Sequence, residues 1–416
     1  MKRVCLITPL HLSANPRLVK QANALIEAGY EIVVVSGHSS ADWSKLDSCM
    51  FHRNWHETNI VRYGPQVNII RRLRQKALRY TASIVARTVA SPSLRALELA
   101  EHDSSADLMA ALRRIPADIY IAHMIASLGP AQRAAKRFGA HLAVDAEDFE
   151  TGILPDLPIN LRALSRIKRL EAEYLPLCSF MIAASPGIAD AYVEAYGIPR
   201  PTVVLNAFPR CHSPEGPTLS GAVQPGPSAY WFSQTIGPDR GIECAVRAIG
   251  RAKSGPHLYL RGRPASGFLD RLRRVASEAD VSDRLHVLPL ESPMKLERLA
   301  APYDVGLSLE PGLTRNSRLT LGNKLFSYLI AGIPIVASDI QSHVAFAAGL
   351  GEAITLYRKQ DPDNLAAALD ALLTDQRRLA SARAEAFRLG QQRFNWEIES
   401  QVFVRCVDRA LARPAR

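Results

Sequence analysis

No apolar run in this chain approaches the roughly 20 residues that a membrane-spanning helix needs. Cysteine is sparse: the six, at positions 5, 49, 178, 211, 244 and 406, include no CxxC pair. A disulfide framework and a thiolate metal site both lose their pattern, and reduced thiols in a cytosolic protein are expected. The opening MKRVCLITPLHLSANP has too short an apolar core for a signal peptide and reads as a first strand. No GxGxxG follows that strand, which disfavours a dinucleotide site. A GxxxxGK phosphate loop, HExxH and GxSxG are also missing, so ATPase, metalloprotease and serine hydrolase readings lose their main support.

What remains is an ordinary globular composition, with 47% hydrophobic and 22% charged residues. At 416 residues, two domains are the default. The net charge of +11 is uneven: Arg62–Leu97 holds eight Lys or Arg residues and no acid. Within it, NIIRRLRQKALRYTASIVARTVA predicts a helix with Ile70, Leu73, Ala77, Ile84 and Val85 on one apolar stripe. Such a segment suits an anionic membrane surface, at about 1 kcal/mol per nearby cation. A solvated surface helix rich in arginine is the alternative. No aromatic-studded RNA motif or recognition helix is present, so nucleic acid is not expected as a partner.

Strand and helix alternate along the chain. Val4–Thr8, Glu31–Ser36, Asp118–His123, His141–Asp145, Phe180–Ser185 and Thr202–Asn206 read as strands with helical segments between them. Asn15 is placed to cap a helix begun by Pro16. A Pro/Gly/Ser-rich stretch, 209–228, reads as a linker. Ala229–Phe232, His257–Arg261, Leu285–Leu288, Val305–Leu309 and Ile333–Ala337 then restart the alternation. The expectation is an α/β protein of two doubly wound, Rossmann-like parallel-sheet domains, 1–208 and 229–390, with a terminal segment 391–416. Their strands' carboxyl ends would face a cleft.

The run LTLGNKLFSYLIAGIPIVASD, Leu319–Asp339, is the most informative. It predicts a loop, an amphipathic helix ended by Gly332 and Pro334, and a buried strand. Gly322, Asn323 and Lys324 form the helix start. A lysine there opposes the helix dipole unless an anion sits nearby, which points to a phosphate. SQTIGPDRG, after one strand, contributes Gly237, which permits a close approach, and Arg240, and RGR, after the following strand, contributes Arg263. Together these make a candidate pyrophosphate clamp, although either arginine alone would suit a solvated surface. In the first domain, His123 ends the strand DIYIAH, where it could bond a sugar hydroxyl or act as acid or base. His11, Ser13, Asn15 and Glu147 are candidate acceptor contacts, with Asn15 alternatively only a cap. One acidic run, DAED, does not make a metal site, and no metal is expected.

These motifs resemble those of GT-B glycosyltransferases of family 4. The resemblance covers nearly the whole chain through TPLHLSANPRLVKQANALIEAGYEIVVVS, ADIYIAH, HLAVDAED, LGNKLFSYLIAGIPIVASD and FNWEIES. It implies a nucleotide-sugar donor held by the second domain and a glycan acceptor, commonly lipid-linked, held by the first. It further implies metal-independent, retaining transfer without a cofactor, and a terminal helix returning to the first domain. Lys324 and Arg240 match donor-diphosphate contacts, and His123 matches a residue near the transferred sugar. Two family glutamates eight positions apart correspond here to Leu319 and Ser327, so Ser327 stands where a ribose-holding carboxylate is usual. Glu310 is a candidate replacement. The resulting expectation is a cytoplasmic enzyme of surface polysaccharide synthesis, peripheral at the inner face of the cell membrane. A non-catalytic sugar-nucleotide- or glycan-binding subunit and a sugar-nucleotide epimerase on the same fold remain the alternatives.

Overall fold

The computed structural model describes residues 1–48, 55–216 and 225–415. Two compact units form: Met1–Val204 with Thr314–Asn316 and Ser400–Arg416, and Leu205–Leu313 with Ser317–Glu399.

The first unit is built on a seven-stranded parallel sheet: β1 (Arg3–Thr8), β2 (Glu31–His38), β3 (Glu57–Arg62), β4 (Ile119–His123), β5 (His141–Ala146), β6 (Phe180–Ala183) and β7 (Thr202–Val203). Their order is β3-β2-β1-β4-β5-β6-β7, so the winding reverses between β1 and β4. The central strands are buried on both faces, which is why VCLI and IVVV read as unbroken apolar runs. β3, ETNIVR, is an addition to the strands expected; it lies at the sheet edge and has little apolar pattern.

The helix Ile69–Thr88 begins with Asn68 accepting a hydrogen bond from the Arg71 N–H. Its buried residues are Gln75 and Ala82. Gln75 Nε2 donates to Asp107 Oδ2 at 2.7 Å and to the Arg62 carbonyl, which fixes the polar side inward. The apolar stripe therefore faces solvent, with Ile70 77% and Leu73 58% exposed. This overturns the usual orientation of an amphipathic surface helix.

The second unit carries a six-stranded parallel sheet: β8 (Ser228–Ile236), β9 (His257–Pro264), β10 (Leu285–Leu288), β11 (Val305–Ser308), β12 (Ile335–Ser338) and β13 (Ile354–Tyr357). The order β10-β9-β8-β11-β12-β13 reverses between β8 and β11. Leu325–Ala331, almost the whole helix Asn323–Ala331, is buried, and Gly332 closes it at φ +71° in the left-handed conformation. β13, ITLY, lies at the sheet edge and is an addition to the strands expected.

The linker boundaries differ from expectation. Leu205–Gly216 belongs to the second unit, where the Leu205 N–H donates to Glu399 Oε2 at 2.7 Å. Arg210–His212 forms a helical turn, and 217–224 lies outside the described residues. The helix Trp396–Leu411 starts in the second unit, and from Ser400 the chain belongs to the first. There Asp408 accepts a hydrogen bond from Tyr30, and His141 Nε2 lies 3.1 Å from the Arg413 carbonyl.

Candidate functional site

In the second unit, loops at the carboxyl ends of neighbouring strands pack against one another, and two glycines show how closely. A Cβ at Gly241 (φ +73°) would lie 2.3 Å from the Leu309 carbonyl oxygen. One at Gly262 (φ +150°) would lie 2.3 Å from the Ser233 carbonyl oxygen. Only glycine satisfies both the backbone angle and the space. Gly237, by contrast, is not among the glycines of positive φ, and a Cβ there would have ordinary clearance, its nearest neighbour 3.6 Å away. The close approach expected at Gly237 belongs instead to Gly241 and Gly262, which SQTIGPDRG and RGR contain.

Arg240 is exposed and donates to Ser233 Oγ at 3.3 Å. Arg263 is exposed at the end of β9. Arg261 is buried, bonded to Tyr230 Oη at 2.8 Å and to the Pro289 carbonyl at 3.1 Å, so it braces the sheet.

Lys324 lies in the first turn of its helix, which has no side-chain cap and no acid. Its Nζ lies 2.7 Å from Glu310 Oε1, with the two side chains 13% and 27% exposed, and 5.6 Å from the Trp231 ring centroid. The other Glu310 oxygen accepts from Ser308 Oγ at 2.7 Å. His343 Nε2 lies 4.0 Å from Glu310 Oε2, while His343 Nδ1 donates to the Ser338 carbonyl at 2.9 Å. Burial alone would raise the Glu310 carboxyl; Lys324, His343 and Ser308 more than reverse this and hold it at about 2. Burial depresses His343. The anion that the lysine's position demands is therefore supplied by Glu310. His343 carries no sequence signal, because only the fold brings it to Glu310.

Ser327 does not reach a ligand site. It is fully buried and donates to Glu297 Oε1 at 2.7 Å, beneath the helix. Leu319 is also buried.

In the first unit, His123 ends β4 fully buried, with Nδ1 3.0 Å from Glu147 Oε1 and 3.7 Å from Asp145 Oδ2. Arg17 Nε donates to the same Asp145 oxygen at 2.7 Å. Burial pushes the Asp145 carboxyl up, but Arg17 and His123 outweigh it and leave it lowered. His123 Nε2 has no hydrogen-bond partner among the described residues. The next residue, Met124, has φ +66° and ψ +155°, a region nearly reserved for glycine and costing about 1–3 kcal/mol. Strain beside an unpaired imidazole nitrogen makes this strand end a candidate site.

Three acceptor candidates are corrected. His11 Nδ1 lies 2.7 Å from Asp47 Oδ2, and its Nε2 accepts from the Ser39 and Ser40 N–H groups. Ser13 N–H and Oγ both donate to Asp47 Oδ1. Asn15 Oδ1 caps its helix through Leu18. All three are buried and hydrogen-bonded within the chain itself. His11, His38 and Asp47 approach metal-ligand spacing, but a His11 ring accepting at Nε2 carries its proton on Nδ1, toward Asp47. In the second cluster, His123, Asp145 and Glu147, Arg17 occupies Asp145 Oδ2.

The two sheets with their helices are two Rossmann-like domains, the architecture of the GT-B glycosyltransferases. No protein-family model and no curated protein sequence matches the chain. Solved structures do. Sucrose-phosphate synthase from Thermosynechococcus elongatus is 14% identical with a TM-score of 0.74, covering 99% of this chain and 100% of that one. HepE of Anabaena in complex with UDP-glucose is 14% identical with a TM-score of 0.69 over 98% and 100%. WaaG, a glycosyltransferase involved in lipopolysaccharide biosynthesis, is 10% identical with a TM-score of 0.63 over 96% and 98%. At such identities the likeness establishes the fold.

Proposed function

We propose that this protein is a glycosyltransferase that moves a hexosyl group from a nucleotide-sugar to a glycan acceptor. The observation that carries the reading is the helix start Gly322–Lys324. It combines an uncapped amino terminus with an ammonium group among glycine-tight loops, on the fold of known glycosyltransferases. Lys324, Arg240, Arg263 and the first helix amides would take the charge that builds on the leaving diphosphate, which is metal-free electrostatic catalysis. HepE holding UDP-glucose supports a nucleotide-sugar at a site of this kind. His123, oriented by Glu147, would meet the transferred sugar. In a retaining path the leaving diphosphate helps deprotonate the acceptor hydroxyl on the same face. Family 4 is the class that the motifs quoted above resemble.

A lipid-linked acceptor in surface polysaccharide synthesis is the finer reading. It is supported by the exposed basic and apolar helix Ile69–Thr88 and by the likeness to WaaG. Among the described residues no helix is long and apolar enough to cross a membrane. A peripheral position at the inner face of the cell membrane fits the helix better than insertion.

The loss of both family glutamates favours one competitor, a binding subunit without turnover. A thermal-shift screen against UDP-, GDP-, ADP- and dTDP-sugars tests the donor site, because a bound ligand raises apparent stability. Slow donor hydrolysis without acceptor supports the enzyme; donor binding with no hydrolysis and no transfer supports the subunit. Interconversion of free nucleotide-sugars would identify an epimerase.

A further inference from the structure

We propose that Glu310 is an internal anion occupying the donor-phosphate position of Lys324, and that donor binding displaces it at the cost of one proton taken up by His343. This rests on the donor-site reading above. Three observations carry it. Lys324 sits at an uncapped helix start, where an anion is favoured, and Glu310 is the anion there. Both side chains keep an exposed edge, so an incoming diphosphate can compete for the ammonium. His343 is fully buried, its Nδ1–H is committed to the Ser338 carbonyl, and its Nε2 has no hydrogen-bond partner among the described residues while facing Glu310.

The charges balance as follows. In the free protein Lys324 and Glu310 neutralise each other and His343 is neutral. A diphosphate on Lys324 leaves Glu310 as a second anion in the same partly buried cluster. A solvent proton on His343 Nε2 then gives an imidazolium, donating from Nδ1 to Ser338 and from Nε2 toward Glu310. The charged groups acting on His343 are Glu310, from the loop after β11, and Lys324, from the helix. β12 contributes the Ser338 carbonyl, and Ser338 Oγ at 3.4 Å. Its own helix, Gln341–Ala347, brings no other titratable residue.

The complex holds more protons than the free protein, so donor affinity falls as pH rises, by at most about tenfold per pH unit. The test is calorimetric titration at about pH 7 in buffers of different ionisation enthalpy. The probe is whichever of UDP-, GDP-, ADP- or dTDP-glucose binds, since their diphosphates do not titrate near neutrality. The expected slope corresponds to uptake of about half to one proton, abolished in His343→Gln with binding retained. Zero uptake by the unmodified protein overturns the inference, as does unchanged uptake in H343Q. Should H343Q fail to fold, Glu310→Gln takes its place: tighter, pH-independent binding is expected, and persistent uptake refutes the displacement. If no nucleotide-sugar binds the unmodified protein, the donor-site reading itself falls; binding without uptake removes only this inference.

Discussion

In the proposed function Lys324, at a helix start, and His123, at a strand end, divide the chemistry, and their variants should fail differently. Lys324→Ala removes one charge-stabilising group and is expected to lower kcat about 100- to 1000-fold, roughly 3–4 kcal/mol. Steady-state kinetics on a donor that binds would check this; activity within a few-fold of the unmodified protein contradicts a diphosphate role. His123→Ala is expected to lower turnover about 100-fold while nucleotide affinity stays nearly constant. A large loss of nucleotide binding would contradict its placement in the first unit. Lys324 is legible because a cation in a helix's first turn breaks a local electrostatic rule. His343 and Glu297 are not, since their partners lie tens of residues away in sequence or are brought together only by the fold. His11 and Ser13 mislead for the converse reason: residues suited to ligand binding also suit a buried carboxylate such as Asp47.

Among the elements, the helix Ile69–Thr88 has its apolar stripe facing outward. Asp107 pairs with Arg71 and Asp103 with Arg79, at 2.9 and 3.4 Å. Arg72, Arg74 and Lys76 have no acidic partner among the described residues, and they flank the exposed Ile70, Leu73 and Tyr80. Reversing those three charges to glutamate should weaken binding to anionic vesicles about 100-fold or more, by the usual contribution per cation. Vesicle sedimentation measures it, and unchanged partitioning would remove the membrane reading. Periodicity announces the helix and its stripe. It cannot announce which side is covered, because that is decided by Gln75 docking on Asp107 and the Arg62 carbonyl. The same logic explains the strands: buried central ones read clearly, while the edge strand β3, ETNIVR, with few apolar residues, does not.

For the molecule as a whole, buried acids in the first unit make its stability depend on pH. Burial raises Glu171, hydrogen bonds from Tyr196 and Tyr192 pull it back, and the net position is about 7. A carboxyl raised on folding stabilises most below its unfolded value, and the contribution disappears as pH rises through about 7. Urea unfolding is therefore expected to show the protein more stable at about pH 5.5 than at 7.5, by about 2 kcal/mol from this group. Glu171→Gln should flatten that difference. Glu150, raised by burial with Glu171 and Asp148 adding to it, acts in the same sense. An equal pH dependence in the variant would show that Glu171 is not the source.

Local order alone, from apolar runs of buried strands, helix stops at glycine and a lysine set against a dipole, determined the class of fold and the helix start at Lys324. These are short-range properties, carried by neighbours within a turn or a strand. Folding in three dimensions decided which anion meets Lys324, which nitrogen of His123 stays unpaired and which face of the basic helix meets water. Each depends on desolvation and on partners distant along the chain, quantities that exist only once the backbone has closed around them.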